Sequence, residues 1–411
     1  MPIKIETIVT AALWLIFFAC FKGGFYFLAN RTQELALALT LTLFLGSSFA
    51  VAFKQTNLSW SLWFFTPLAL LFYFMLVPSL TWSQFTGASI LPSIAASREF
   101  IILLLCPTLI FLIHLGYPIE KISSLYIKVA VFVSLSYVFW TFAINEEAYY
   151  YSGNTWKQSL VTADNWRGYR LKAPTLAMHV ATIAAFIYLF RLPNFKNKIY
   201  WIGIILFLIY DWMLAQARSE TAMVIIGVIL YHLWFAKRNR LGVFLTTLVI
   251  CVPFILFASG YLFEHLSQAA PADKTRYYSY MKAFDAIAGN PLFGVGQGSF
   301  QSISEGDVFG KFSSQDLGIF GITFKYGTVG AFIYYISIIY VFKRAVQAHL
   351  HLRETLNAIN ILLIIAMMRF TREFFLIMLS VDYSKIYGIG LLAITLAVSN
   401  SYLCTKKSST N

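Results

Sequence analysis

At 411 residues the chain is long enough for two or three soluble domains, yet 59% hydrophobic, 18% aromatic and 12% charged residues with a mean hydropathy of +0.70 describe none. A soluble chain carries roughly a quarter of its residues charged, so a cytosolic enzyme, a disordered protein and a fibre are excluded. The net charge of +13 fits either nucleic acid or basic loops beside membrane helices, and the placement of the charges decides between them.

Taken in order, the apolar runs predict twelve membrane spans, at about 8–29, 35–53, 59–81, 99–117, 123–143, 174–191, 199–216, 219–236, 241–263, 318–342, 355–369 and 384–404. The first is too long for a signal-peptide core, lacks an A-x-A cleavage pattern and reads as a retained span. Cys20, Cys106, Cys251 and Cys404 all lie in apolar runs, without disulfide or zinc spacing. Twelve spans put both termini on one side. There the short loops hold 14 basic residues against 3 acidic ones, which assigns that side to the cytoplasm and accounts for the basic balance without nucleic acid.

The whole chain, 1–411, therefore reads as one polytopic membrane domain with two long periplasmic segments, 144–173 and 264–317. No cytoplasmic loop exceeds roughly a dozen residues and no Walker pattern occurs, so chemistry is expected on the outer face. In the first segment Tyr149, Tyr150 and Tyr151 with Trp156 and Trp166 suit either stacking on sugar rings or an interfacial aromatic belt.

Charged groups near span ends are functional candidates because the membrane makes them costly. Arg218, in the hairpin Gln216-Ala-Arg218-Ser-Glu220-Thr221, suits anion binding or a structural pair with Asp211 or Glu220. In the second segment Tyr277, Met281, Phe284 and Ile287 recur at helical spacing and predict an amphipathic helix, with Arg276 and Lys282 off that stripe. Asn290-Pro-Leu-Phe-Gly294-Val-Gly296-Gln297-Gly298 lacks dinucleotide spacing and predicts a tight turn that lets backbone approach a bound sugar or headgroup. Asp316 precedes the tenth span, where a cap is the ordinary use of such a residue. Arg369 and Arg372 interrupt the apolar run before the last span and add positive charge to the same outer face as Arg218 and Arg276, and a structural pair of Arg372 with Glu373 or Asp382 is an equal alternative.

The order of these features resembles the O-antigen ligase and Wzy-type polysaccharide polymerase superfamily. An arginine in a short outer hairpin precedes a long loop with an arginine-bearing helix and Asn-Pro-Leu-Phe-Gly-Val-Gly-Gln-Gly-Ser-Phe. That loop ends at a polar residue eleven before Gly327 of a Gly-x-x-Gly. The resemblance is specific from about 211 to 330. It implies an all-α, GT-C-like inner-membrane glycosyltransferase with both termini cytoplasmic and a periplasmic active site. The implied substrate is an undecaprenyl-pyrophosphate-linked glycan in the lipid bilayer, with a chain-length regulator left open as a partner. Arg218 and Arg276 then hold the donor pyrophosphate. Arg369, Arg372, Lys282, Gly296 and Gln297 are further substrate-binding candidates.

The ligase branch carries a general-base histidine where this chain has Asp316, and His265, His349 and His351 do not occupy that slot. The loss favours a polymerase, with Asp316 as the candidate base. No metal-ligand spacing stands out and no cofactor is implied. A ligase moving glycan to lipid A core or protein is the enzyme alternative. A secondary transporter or lipid-linked sugar flippase is the other, and it lacks support from internal repeats.

Overall fold

The computed structural model describes residues 5–24, 31–54, 62–164, 168–191, 195–215, 271–297, 314, 317–352, 355, 357–375 and 386–410. These residues are mostly helical, because backbone polar groups inside hydrocarbon must be satisfied within their own segment. In chain order the helices are α1 (Ile5–Cys20), α2 (Arg31–Phe53), α3 (Leu62–Thr86) and α4 (Ile90–Ala96). A 3-10 segment, Arg98–Leu104, then leads into α5 (Leu105–His114) and α6 (Ile119–Ala143). Two short helices, α7 (Glu146–Tyr150) and α8 (Thr155–Leu160), precede β1 (Val161–Asp164) and β2 (Gly168–Leu171). The remainder are α9 (Thr175–Arg191), α10 (Phe195–Ala215), α11 (Pro271–Gly289), α12 (Ile319–Leu352), α13 (Ala358–Phe375) and α14 (Ile386–Thr410).

Six of the described helices are long and apolar enough to cross a membrane, and the bent pair Ile90–Ala96 with Arg98–His114 brings the number to seven. Three shorter apolar helices, Ile5–Cys20, Thr175–Leu189 and Ala358–Thr371, accompany them. This is the pattern of a multi-pass membrane protein. The expected spans 219–236 and 241–263 lie outside the described residues.

Four features differ from the sequence expectation. The chain is not purely α-helical: within 144–173, β1 and β2 pair antiparallel, from Val161 opposite Leu171 to Asp164 opposite Gly168. Gly168, which opens β2, adopts a positive φ of +67° that favours glycine. Where a span was expected at 99–117, the chain forms the pair Ile90–Ala96 and Arg98–His114, bent by 54°. The tenth span continues to Leu352 and is broken at Gly327. Finally, Arg369 and Arg372 do not interrupt a helix but lie inside α13.

Hydrogen bonds between distant segments orient the bundle. At one end Lys121 Nζ donates to Glu6 Oε1 (2.8 Å), Ala358 N donates to Glu120 Oε1 (2.7 Å), and His349 Nδ1 meets Asn360 Oδ1 (2.6 Å). Away from that end, the β-hairpin holds the last turn of α10, and the 290–297 segment holds the first turns of α12. A large apolar core is drawn from most of the helices.

Candidate functional site

The glycine-rich segment is spliced into the break of α12. Gly327, at φ +68° and ψ −178°, stops the helix from closing its own hydrogen bonds. Thr328 N donates to Pro291 O (2.9 Å) and Val329 N to Leu292 O (3.2 Å), while Phe324 O accepts from Val295 N (2.7 Å). In an unbroken helix Thr328 N would have bonded Phe324 O. Tyr73 Oη donates to Tyr326 O (3.1 Å), covering another carbonyl that the break strands. Non-helical backbone inside a bundle is tolerated where such partners satisfy it.

The glycines serve this close approach. A side chain at Gly294 would collide with Phe324 O and Gly327 N, and one at Gly296 with Pro78 O and Trp82 N. The backbone these glycines admit is thus the chain's own. Gln297 extends the seam: its N donates to Pro78 O (3.3 Å), its Nε2 to Ala96 O (3.4 Å), and its Oε1 accepts from Tyr326 Oη (3.2 Å). One residue thereby ties α3, α4 and α12 together.

Helix α11 packs on this seam. Tyr280, Ala283, Trp82, Val295, Leu317 and Phe324 form one small core, with Phe320 against Tyr280 and Phe284. The packing face therefore centres on Tyr280 and Ala283, whereas Met281 and Phe284 of the expected stripe are 44% and 39% exposed. By helical register, position 276 falls one turn before Tyr280 on that packing face. Lys282 is exposed. The core also contains Leu317, the residue after Asp316. Asp316 and Arg218 themselves lie outside the described residues, and for Arg276 and Arg372 the helix position alone is described.

Arg369 is 6% exposed and lines a largely apolar cavity between Leu70 and Phe74 of α3 and Leu391 and Leu392 of α14. A guanidinium held there is costly unless it faces a cavity or a partner.

The 144–173 segment clamps the end of α10. Arg170 Nη1 donates to Ala215 O (2.8 Å), and Tyr137 Oη donates to Leu171 O (3.2 Å). A cation on the last carbonyls of a helix is favoured by the helix dipole. Ala215 precedes Arg218 by three residues in the sequence, so the clamp holds the helix immediately before that arginine.

One turn earlier, Asp211 is fully buried, and its Oδ2 accepts from Ser134 Oγ (2.8 Å). Its Oδ1 has no hydrogen-bond partner among the described residues. Ser134→Ala is expected to cost about 1–3 kcal/mol by leaving that carboxyl less satisfied. Thermal unfolding in detergent reads this, and an unchanged midpoint would discount the bond.

Some of these residues escaped sequence reading. Ser134, His179 and Lys325 sit in otherwise apolar helices, and each is buried. His179 Nδ1 bonds Thr175 O (2.8 Å) and its ring meets Trp212 edge-on at 5.2 Å. A polar residue inside an apolar run was the available signal, but its partner is invisible without the fold. His349, bonded to Asn360, lies at the end opposite the glycine seam.

No curated protein matches the chain. Residues 203–335, about a third of the chain and including positions 218, 276 and 316, match the family model Wzy_C, O-antigen ligase, a match consistent with the O-antigen ligase and polymerase superfamily.

Proposed function

We propose that this protein is a GT-C-like, twelve-span glycan polymerase of the bacterial inner membrane, transferring a growing polysaccharide from its undecaprenyl-pyrophosphate carrier to a new lipid-linked repeat unit on the periplasmic face. The observation that carries the reading is the O-antigen ligase match over 203–335, which spans both candidate arginines and Asp316. The packing of α11 supports it, since the core that receives Tyr280, one turn after position 276, also receives Leu317.

In this reading Arg218 and Arg276 grip the donor pyrophosphate through paired N–H donors and stabilise it as it departs. Asp316 accepts the proton of the acceptor hydroxyl as its oxygen attacks the anomeric carbon and the carbon–oxygen bond to pyrophosphate breaks. Arg369, Arg372 and Lys282 supply further positive charge to the same substrate. Gly296 and Gln297 serve by fixing the seam on which the arginine-bearing helix rests.

The test supplies purified lipid-linked repeat units to the reconstituted protein. Products lengthening on polyprenyl pyrophosphate are expected. Transfer to lipid A core or protein would make it a ligase, and movement of substrate across vesicles without bond formation would make it a transporter.

A further inference from the structure

The end of the bundle that carries the clamp also carries a cluster of exposed aromatic rings. Tyr150 ends α7, Tyr151 is the C-cap residue that follows it, and Tyr169 lies in β2. Their ring centroids are 5.1–5.6 Å apart: Tyr150 to Tyr151 5.2 Å at 88°, Tyr150 to Tyr169 5.1 Å at 43°, and Tyr151 to Tyr169 5.6 Å at 70°. The hydroxyls of Tyr151 and Tyr169 are hydrogen-bonded to each other. Tyr151 is 67% and Tyr150 37% exposed.

This cluster is built and held. Asn145 caps α7 by accepting from Ala148 N (2.9 Å), and Asn154 caps α8 by accepting from Trp156 N (2.9 Å). Leu160, Val161 and Leu171 bury a small core beneath it with Tyr137 and Trp212. Arg170, the neighbour of Tyr169, is the residue that clamps Ala215. The rings are therefore rigidly joined to the helix that leads to Arg218.

We propose that Tyr150, Tyr151 and Tyr169 form a saccharide-binding platform that takes neutral pyranose units of a glycan, apart from the bond-forming residues. The identity of the ligand as a glycan rests on the function proposed above. Three rings set at angles offer apolar faces to the C–H side of a sugar, and the phenol hydroxyls offer donors and acceptors to its hydroxyls.

The surroundings favour sugar over lipid headgroups. Glu146 and Glu147 lie in the first turn of α7, beside the rings. The hydrogen bond shared with Tyr151, in which a proton on the Tyr169 oxygen is held, followed by desolvation and by the charges that Tyr151, Glu147 and Tyr150 can carry, pushes the Tyr169 phenol up to about 12. Carboxylates in that position repel phosphate-bearing headgroups and acidic sugars alike. Lys157 is turned onto the ring of Tyr149 (5.1 Å).

The test places the full chain, in detergent, on an array of neutral and acidic oligosaccharides. The expected result is binding to neutral glycans, weakened at least 10-fold in the Tyr150→Ala/Tyr151→Ala double variant and largely kept in Tyr151→Phe, which retains the ring. Both rings are exposed, so the variant leaves the core beneath intact. No glycan bound, equal binding by the double variant, or a preference for acidic glycans would each overturn the platform. A parallel measurement of bond formation from lipid-linked donor separates this inference from the enzymatic one: binding without bond formation keeps the platform and removes the polymerase, and bond formation without binding does the reverse.

Discussion

Alanine at Arg276 is expected to lower long-chain polysaccharide formation by about 10²–10³-fold, and alanine at Arg218 to do the same, with protein level unchanged. Each guanidinium is assigned one side of a departing pyrophosphate, and removing it withdraws charge from the group where charge develops. Lysine at either position keeps the charge but loses the planar fork, so partial activity is expected from Arg→Lys and almost none from Arg→Ala. Position 276 shares a helical face with Tyr280, so the unfolding midpoint of the alanine variant must be measured beside its activity. Normal chain-length ladders from both alanine variants would remove the proposed active centre.

Asp316 calls for a finer comparison. Asparagine preserves its size and its capacity to accept hydrogen bonds but cannot take a proton at neutral pH. Loss of turnover in Asp316→Asn with protein level intact is expected. An active Asp316→Asn enzyme would leave the residue as a cap for the helix that follows.

Hydropathy alone made the multi-pass helical character legible, because an apolar run of about twenty residues has few uses other than crossing a membrane. It located α2, α6 and α10 closely. It failed where geometry depends on a remote partner. The break in α12 requires carbonyls from Pro291 and Leu292, more than thirty residues earlier, and nothing local distinguishes Gly327 from the neighbouring Gly321 and Gly330. On α11 the stripe did not reveal the seat of the helix, because Met281 and Phe284 are partly exposed while small Ser279 and Ala283 sit buried beside Tyr280. Close helix packing selects small side chains, and periodicity weighted by hydrophobicity does not see them. The hairpin was missed because four-residue strands carry little periodic signal. Arg218, Arg276 and Asp316 became candidates by charge at a costly place, and their roles came from the resemblance.

The seam between the glycine segment and α12 is where a single methyl group is expected to do the most structural damage. Gly327, at φ +68° and ψ −178°, occupies a backbone region open essentially to glycine alone, which costs another residue roughly 1–3 kcal/mol. A methyl there would also meet Leu292 O, Leu292 C and Phe293 N, all backbone atoms that cannot swing aside. Relief would require Pro291 and Leu292 to withdraw, stranding Thr328 N and Val329 N at about 1–3 kcal/mol each. Gly327→Ala is therefore expected to cost at least ~3 kcal/mol and to collapse the folded yield. Gly46→Ala supplies the contrast, since nothing lies within 4 Å of a methyl at that position in α2. It is expected to gain about 0.5–1 kcal/mol by helix propensity. Thermal unfolding of the two variants in the same detergent decides the matter: equal midpoints would mean that the splice does not hold α12 open, and that the seat of α11, with its arginine, rests on other contacts.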